Sequence, residues 1–226
     1  MYPFLTTHSS ANNKVPNSKE YMKSCIGSNA KYIEVDVRKT KDNILVLYHN
    51  STIETKTIID TNYDELLKID PNLVKIEYAI NFALDHGFLI NFDLKTIEAA
   101  EILAKYIEKY NFTYKCVISG CHQREAKLLL SLNNHLKIIY NLEKEDILNI
   151  DKVVQIIVAL KVYGINLNYH LCCDSLFNIL IKTNLPIFVW TVDSDEAFKL
   201  CQKYPITSIT SNYPSLYNKY YGNADI

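Results

Sequence analysis

The sequence predicts an α/β fold of the (β/α)8 TIM-barrel type, with eight parallel strands. Short apolar, β-branched runs alternate with amphipathic stretches along the 226 residues, and this alternation is typical of a parallel sheet covered by helices. Eight such units in a chain of this length favour a closed barrel over an open sheet. A doubly wound sheet is disfavoured because no glycine-rich phosphate loop follows the first apolar run.

The strands are predicted from apolar runs that are bounded by polar or turn-forming residues. In chain order they are Phe4–His8, Tyr32–Arg38, Phe88–Lys95, Lys115–Ser119, Lys137–Asn141, Gly164–Asn168, Ile187–Val192 and Ser208–Thr210. A further run, Ile44–Tyr48, follows the turn-forming segment TKDN. We expect it to pair with the second strand as a hairpin.

Helical signals fall between these strands. From Ile97 to Tyr110 apolar residues recur every three to four positions, which predicts one buried helix face. Two patterns that resemble capping boxes and two glycines predict further helix boundaries: Asn17-x-x-Glu20, Asp193-x-x-Glu196, Gly27 and Gly87.

Composition fits one domain over residues 1–226, with 48% hydrophobic residues, 22% charged residues and a net charge of −1. This charge balance excludes the basic excess that nucleic-acid binding needs. No run approaches the ~18 apolar residues of a membrane span, and the first residues do not resemble a signal peptide. None of the six cysteines forms a C-x-x-C pair, so we expect reduced, mostly buried thiols and a cytoplasmic location. The oligomeric state is not predicted.

Candidate site residues lie at or just beyond the ends of several of the apolar runs. They are His8, Glu34, Asp36, His49, Asp93 and Lys95. In a barrel the carboxyl ends of the strands meet on one face, so these side chains are expected to converge. Three carboxylates suit a hard divalent cation such as Mg²⁺ or Ca²⁺, whereas zinc favours more histidine or cysteine ligands. Histidines suit acid–base chemistry near neutral pH, and a lysine can neutralise a phosphoryl oxygen.

Each of these signals alone is more often structural than functional. An E-x-D pair on one strand is commonly a salt-bridged rim, and a lone histidine after a strand is commonly a surface residue. Their coincidence at four strand ends favours a metal–histidine site.

Several segments together resemble the glycerophosphodiester phosphodiesterase family, a (β/α)8 branch of the phosphatidylinositol-phospholipase-C-like enzymes. The segments are PNS at 16–18, YIEVDVRKTKD, VLYH, NFDLK, VWTVD and ITSNYP. The resemblance implies that His8 and His49 are catalytic. It implies that Glu34, Asp36 and Asp93 hold a divalent metal ion, that Lys95 helps to bind phosphate, and that Trp190 lines the pocket for the alcohol.

The chain departs from the family pattern at three places. The usual His-Arg-Gly is His8-Ser9-Ser10 here, so Ser9 stands where the family has a phosphate-contacting arginine and becomes a substrate-binding candidate. Loss of that arginine removes a bidentate phosphate clamp. The usual glutamate of the acidic-x-Lys pair is Asp93, and the usual His-Asp is His49-Asn50.

The resemblance implies metal-dependent hydrolysis of glycerophosphodiesters to glycerol 3-phosphate and an alcohol by a pair of histidines. A first alternative is cleavage of a lysolipid or another phosphodiester in the manner of sphingomyelinase D-like phospholipases, which share the missing arginine and the Asp-x-Lys pair but are typically secreted and disulfide-bonded. A second alternative is a weakly active barrel that binds phosphodiesters. The leaving alcohol, the choice of Mg²⁺ or Ca²⁺, and attack by water or by the glycerol 2-hydroxyl remain open.

Overall fold

The computed structural model describes residues 2–222. Residue 1 and residues 223–226, the ends of the predicted domain, lie outside the described residues. The strands within the described range are β1 (Phe4–Thr7), β2 (Tyr32–Lys39), β3 (Leu45–Leu47), β4 (Thr52–Ile53), β5 (Lys56–Thr57), β6 (Leu89–Leu94), β7 (Cys116–Cys121), β8 (Ile138–Leu142), β9 (Gly164–Asn168), β10 (Ile187–Trp190) and β11 (Ser208–Ser211).

Eight of these strands form a closed parallel barrel in the order β1-β11-β10-β9-β8-β7-β6-β2, and β1 pairs with β2 to close it. The predicted eight-stranded TIM barrel is therefore confirmed. The predicted hairpin is also present, because β3 pairs antiparallel to β2. This extra pairing lengthens β2 to Lys39, so Glu34 and Asp36 lie inside the strand and not at its last residues.

Helices cover the outer face of the barrel. They are α1 (Lys19–Ser24), α2 (Tyr63–Leu66), α3 (Ile76–His86), α4 (Ala100–Lys109), α5 (Gln123–Leu132), α6 (Ile150–Leu160), α7 (Asp174–Leu180), α8 (Asp195–Cys201) and α9 (Pro214–Tyr221). The helix predicted over 97–110 is present as a 3-10 turn followed by α4. Across residues 2–222, none of the helices has the length and apolar character needed to cross a bilayer.

The barrel interior changes character from one end to the other. Toward the amino ends of the strands it is filled by a small apolar cluster that includes Tyr32, Val117, Ile139 and Phe188. Side chains two residues further along a strand point to the same side. The next inward layer therefore carries Glu34 above Tyr32, and this layer is polar where the one beneath it is apolar.

Both predicted capping boxes are wrong by one residue. Ser18 and Ser194 cap α1 and α8, each accepting a hydrogen bond at its Oγ from the backbone N–H three residues on, at 3.0 and 3.2 Å. Asn17 and Asp193 precede these caps and make other contacts, which are described below. Gly87 ends α3 in the left-handed conformation with φ of 75°, as predicted.

Candidate active site

A cavity of about 320 Å³ opens at the carboxyl ends of the barrel strands. Five of the six predicted site residues line it: His8, Glu34, His49, Asp93 and Lys95. Trp190, at the end of β10, lines the same cavity. The convergence follows from sheet register, because Asp36 of β2 lies directly beside Asp93 of β6. Asp36 itself is almost fully buried, with 1% of its surface exposed.

The three carboxylates form one cluster. Glu34, Asp36 and Asp93 each offer an oxygen, and these atoms all lie within 4.8 Å of one another. Burial raises the pKa of Glu34 well above its ordinary value, and the neighbouring charges of Asp36 and Asp93 raise it further. A buried group of acidic oxygens at this spacing is destabilised unless a positive charge neutralises it. The donor set therefore fits a hard divalent cation.

Lys95 provides one such positive charge. Its Nζ lies 2.8 Å from Asp36 Oδ1 and 2.5 Å from Asp93 Oδ2. Burial acts to lower the pKa of Lys95, but the charges of Asp93 and Asp36 outweigh it and the pKa is raised. Burial acts to raise the pKa of Asp36. The charge of Lys95 and the hydrogen bonds that Asp36 accepts outweigh burial, so the pKa of Asp36 lies below its ordinary value. The lysine thus stays protonated at the edge of the carboxylate cluster.

Ser9, the predicted substrate-binding residue next to His8, is buried beside Glu34. It is 2% exposed and is absent from the cavity lining. Its backbone N–H donates to Glu34 Oε2 at 2.6 Å. Ser9 therefore contacts the carboxylate of Glu34 and does not line the open space of the cavity. The structure thus gives Ser9 a contact with Glu34, and its contact with substrate stays a prediction.

Asn17 holds Asp36 from a second side. Its Nδ2 donates to Asp36 Oδ2 at 2.7 Å, and its Oδ1 accepts from the backbone N–H of Asp36 at 2.9 Å. Asn17 is 2% exposed and has a left-handed backbone with φ of 60°, a conformation that asparagine tolerates better than most residues. Asp36 thus has one oxygen on Lys95 and the other on Asn17.

His8 lies one residue beyond β1 and is oriented by two polar residues. Its Nδ1 lies 3.1 Å from Asn212 Oδ1 and 3.2 Å from Ser10 Oγ. Asp193 fixes the Asn212 amide, since its carboxylate accepts from Asn212 Nδ2 at 2.7 Å and from the Asn212 backbone N–H at 2.8 Å. The amide therefore presents an acceptor to His8, so Nδ1 donates and the lone pair is on Nε2. Burial lowers the pKa of His8, more than the charge of Asp36 raises it.

His49 follows β3 and is exposed at the mouth of the cavity. Its backbone carbonyl accepts from Nε and Nη2 of Arg38, at 3.0 and 2.7 Å. Its Nδ1 lies 3.0 Å from Asn50 Oδ1. As at His8, the contact to an amide oxygen makes Nδ1 the donor and leaves Nε2 without a proton when the ring is neutral.

Four site features were missed by the sequence reasoning: the roles of Asn17, Asp193 and Asn212, and a group of amides on the inner wall. The sequence contained a signal for the amides. Asn91 stands two residues before Asp93 on β6, and Asn141 and Asn166 stand at inward positions of β8 and β9. Polar residues at inward positions of barrel strands indicate a cavity.

Comparison with known proteins agrees with this architecture. Residues 8–216 match the model of the glycerophosphoryl diester phosphodiesterase family. A glycerophosphodiester phosphodiesterase of Caldanaerobacter subterraneus is 25% identical over 243 aligned positions, which cover 95% of this chain and 96% of the relative.

Solved structures show the same fold. A glycerophosphodiester phosphodiesterase from Parabacteroides distasonis superposes with a TM-score of 0.84 at 19% identity, covering 99% of this chain and 98% of that one. An Oleispira antarctica phosphodiesterase, solved with the product sn-glycerol-3-phosphate, has a TM-score of 0.84 at 14% identity and covers 98% and 97% of the two chains. Because the family match spans nearly the whole chain, this protein belongs to the glycerophosphoryl diester phosphodiesterase family and is a phosphoric diester hydrolase.

Proposed function

We propose that this protein hydrolyses glycerophosphodiesters to glycerol 3-phosphate and an alcohol, in a metal-dependent reaction carried out by one barrel domain. The observation that carries the proposal is the placement of two histidines, three clustered carboxylates and a lysine around one cavity. The Oleispira antarctica phosphodiesterase, whose structure holds sn-glycerol-3-phosphate, supports a substrate of this class.

Glu34, Asp36 and Asp93 would hold the divalent cation, either Mg²⁺ or Ca²⁺. Their oxygens fit such an ion in chemistry and spacing, and burial together with the charges of Asp36 and Asp93 raises the pKa of Glu34. When bound, the ion would supply positive charge to a non-bridging phosphoryl oxygen. Lys95 adds a second positive charge at the same edge of the cavity.

His8 is assigned as the general base and His49 as the general acid. His8 is buried and its pKa is lowered, so at neutral pH its Nε2 is free to take the proton of the attacking hydroxyl. His49, exposed and lining the same cavity, would donate a proton to the oxygen of the leaving alcohol as the P–O bond breaks. Trp190 lines the pocket for one of the two alcohol arms.

A product-resolved assay tests this function. The protein is incubated with glycerophosphoglycerol, glycerophosphoethanolamine, glycerophosphocholine, a lysophospholipid and sphingomyelin, first with EDTA and then with Mg²⁺ or Ca²⁺ restored. We expect glycerol 3-phosphate to appear from the glycerol diesters when metal is present. Preference for the lysolipid or sphingomyelin would favour the phospholipase D-like alternative. Metal-dependent binding without any product would favour a binding barrel.

Histidine variants test the assigned roles. His8→Ala and His49→Ala are each expected to lower kcat by about 10²-fold or more, because general acid and base catalysis typically contribute this much. Circular dichroism would show that the barrel stays folded, and Glu108, exposed on α4, offers a control, Glu108→Gln, with unchanged kcat. Near-wild-type turnover in both histidine variants would refute the assignment. The cytoplasmic location stays a prediction, to be checked by cell fractionation.

A further inference from the structure

Three asparagines on the inner wall of the barrel have no role in the proposed reaction. Asn91 lies on β6, Asn141 on β8 and Asn166 on β9, and all three line the cavity that also contains His8 and Lys95. A barrel interior at this level is ordinarily filled by branched apolar side chains. Three amides there are therefore unusual for a purely structural layer.

Two of the amides are held in a fixed orientation. Asn141 Oδ1 accepts from the backbone N–H of Gly120 at 3.1 Å and from Asn166 Nδ2 at 3.1 Å. Gly120 has φ of 68°, and a Cβ there would come within 2.5 Å of Asp93 Oδ1, so the backbone can approach only because no side chain is present. Among residues 2–222, Asn141 Nδ2 and Asn166 Oδ1 then have no hydrogen-bond partner and remain as one donor and one acceptor.

Two residues that line this cavity each have a buried polar atom without a hydrogen-bond partner in the described part of the chain. Asn91 is 8% exposed, and its Oδ1 has no hydrogen-bond partner in the part of the chain that the structure describes. The indole Nε1 of Trp190 is likewise buried without a partner there. Unpaired buried polar groups are rare and cost free energy. One is an acceptor and the other a donor, and both residues line the same space.

We propose that Asn91, Asn141, Asn166 and Trp190 form a hydroxyl-binding subsite that takes a polyol arm of the phosphodiester. A hydroxyl both donates and accepts, so adjacent hydroxyls match the mixed donors and acceptors of this wall. The inference rests on the proposed function, because it specifies the substrate of that same site. The shared chemistry fits either the glycerol of the substrate or a polyhydroxylated leaving alcohol such as a second glycerol.

A quaternary ammonium group fits this wall less well. Recognition of such cations uses several aromatic faces around the charge. Among the described residues that line the cavity, Trp190 is the one tryptophan, tyrosine or phenylalanine. The wall is therefore better matched to hydroxyls than to choline.

Asn91→Leu is the decisive variant, since it replaces the unpaired amide with an apolar side chain of similar size. If Asn91 is kept for a ligand, the variant should unfold at the same temperature as the wild type or a higher one, because a buried unpaired polar group is lost. Asn218→Leu is the matched control, because Asn218 Oδ1 is also buried and unpaired but lies on α9, outside the cavity. Asn166→Ala serves as a second variant on the other side of the wall.

Two ligand comparisons distinguish the two sources of the hydroxyls. For the glycerol arm, binding of glycerol 3-phosphate is compared with that of 3-hydroxypropyl phosphate, which lacks the 2-hydroxyl. Binding is used here because the 2-hydroxyl is also a candidate nucleophile. For the leaving arm, kcat/KM is compared for glycerophosphoglycerol and for its analogue with a 3-hydroxypropyl leaving group.

We expect the wild type to favour the hydroxylated ligand about tenfold in one of the two comparisons, the contribution of a buried hydrogen bond. Asn91→Leu and Asn166→Ala should reduce that ratio to about twofold or less, whereas Asn218→Leu should keep it. Unchanged ratios in both comparisons, or a lower unfolding temperature for Asn91→Leu with intact ratios, would overturn the subsite. The wild type could turn over no diester and still prefer glycerol 3-phosphate over 3-hydroxypropyl phosphate. If Asn91→Leu and Asn166→Ala then lost that preference, the result would support the subsite and remove the proposed function.

Discussion

Replacing Asn17 with alanine is expected to weaken divalent-cation binding by about 10- to 100-fold while the barrel stays folded, because residues that orient metal ligands typically have effects of this size. Asn17 touches none of the cavity, yet it holds the carboxylate and the backbone of Asp36 through two hydrogen bonds of 2.7 and 2.9 Å. Without it, the Asp36 carboxylate is free to rotate away from Glu34 and Asp93.

The stability cost follows from the same two contacts. A hydrogen bond to a charged group contributes ~1.5–3 kcal/mol and a neutral one ~0.5–1.5 kcal/mol, so their loss at this buried position predicts about 2–4.5 kcal/mol of destabilisation. Alanine in the left-handed conformation adds backbone strain of about 1 kcal/mol or more. Asn17→Gly removes this strain and isolates the effect of the side chain.

Calorimetric titration with Mg²⁺ and with Ca²⁺ measures the change in affinity, and urea denaturation measures the change in stability. Ser18→Ala is the control, because Ser18 is the adjacent residue and caps α1. It should cost about 1 kcal/mol of stability and leave the metal affinity unchanged. Wild-type metal affinity in Asn17→Gly, together with lowered stability, would refute the reasoning and make Asn17 a purely structural residue.

Three further predictions concern His8 and Lys95. Asp193→Asn should lower kcat by about 10²-fold with little change in KM, because the Asn212 amide could then rotate and the Nδ1–H of His8 would lose its fixed acceptor. An unchanged kcat would show that Asp193 does not position His8. The lowered pKa of His8 means that folding favours its neutral form, so the acid limb of the kcat/KM profile against pH should have its midpoint below 6.5. In a profile of unfolding free energy against pH, the stability that His8 contributes should be present above pH 6.5 and lost as pH falls through the folded pKa. A midpoint above 6.5 in both the activity and the stability profile would contradict this. Lys95→Met should destabilise the metal-free protein by about 3–5 kcal/mol, since Asp36 loses its buried partner. Added Mg²⁺ should recover part of this lost stability in urea denaturation, and a loss of stability that metal does not change would argue against a cation site.

Much of the fold, and most of the ionisable residues that meet in the cavity, could be predicted from the sequence. The alternation of apolar runs and amphipathic stretches predicted the eight-stranded barrel, because both periodicities are properties of the local chain. The spacing of two residues places Glu34 and Asp36 on one side of β2 for the same reason. Once the barrel is accepted, strand ends on one face bring His8, Asp93 and Lys95 together.

The sequence could not resolve choices between adjacent polar residues. Asn17 and Ser18 are both good helix caps by type, as are Asp193 and Ser194, and the capping-box pattern selected the wrong member of each pair. What decides the choice is a distant partner: Asp36 for Asn17, 19 positions away, and Asn212 for Asp193. No local rule contains that information.

The tertiary structure alone decided which groups meet inside the barrel. Asn212 reaches His8 across 204 positions, and Ser9 turns its backbone N–H to Glu34 although its place beside His8 suggested a substrate contact. The sequence by itself determined the strands, their inward residues and the ionisable side chains at the strand ends, because these depend on local periodicity and residue type. Only the closed barrel determined the partners of those groups, because hydrogen bonds between distant residues depend on register and packing across the whole sheet.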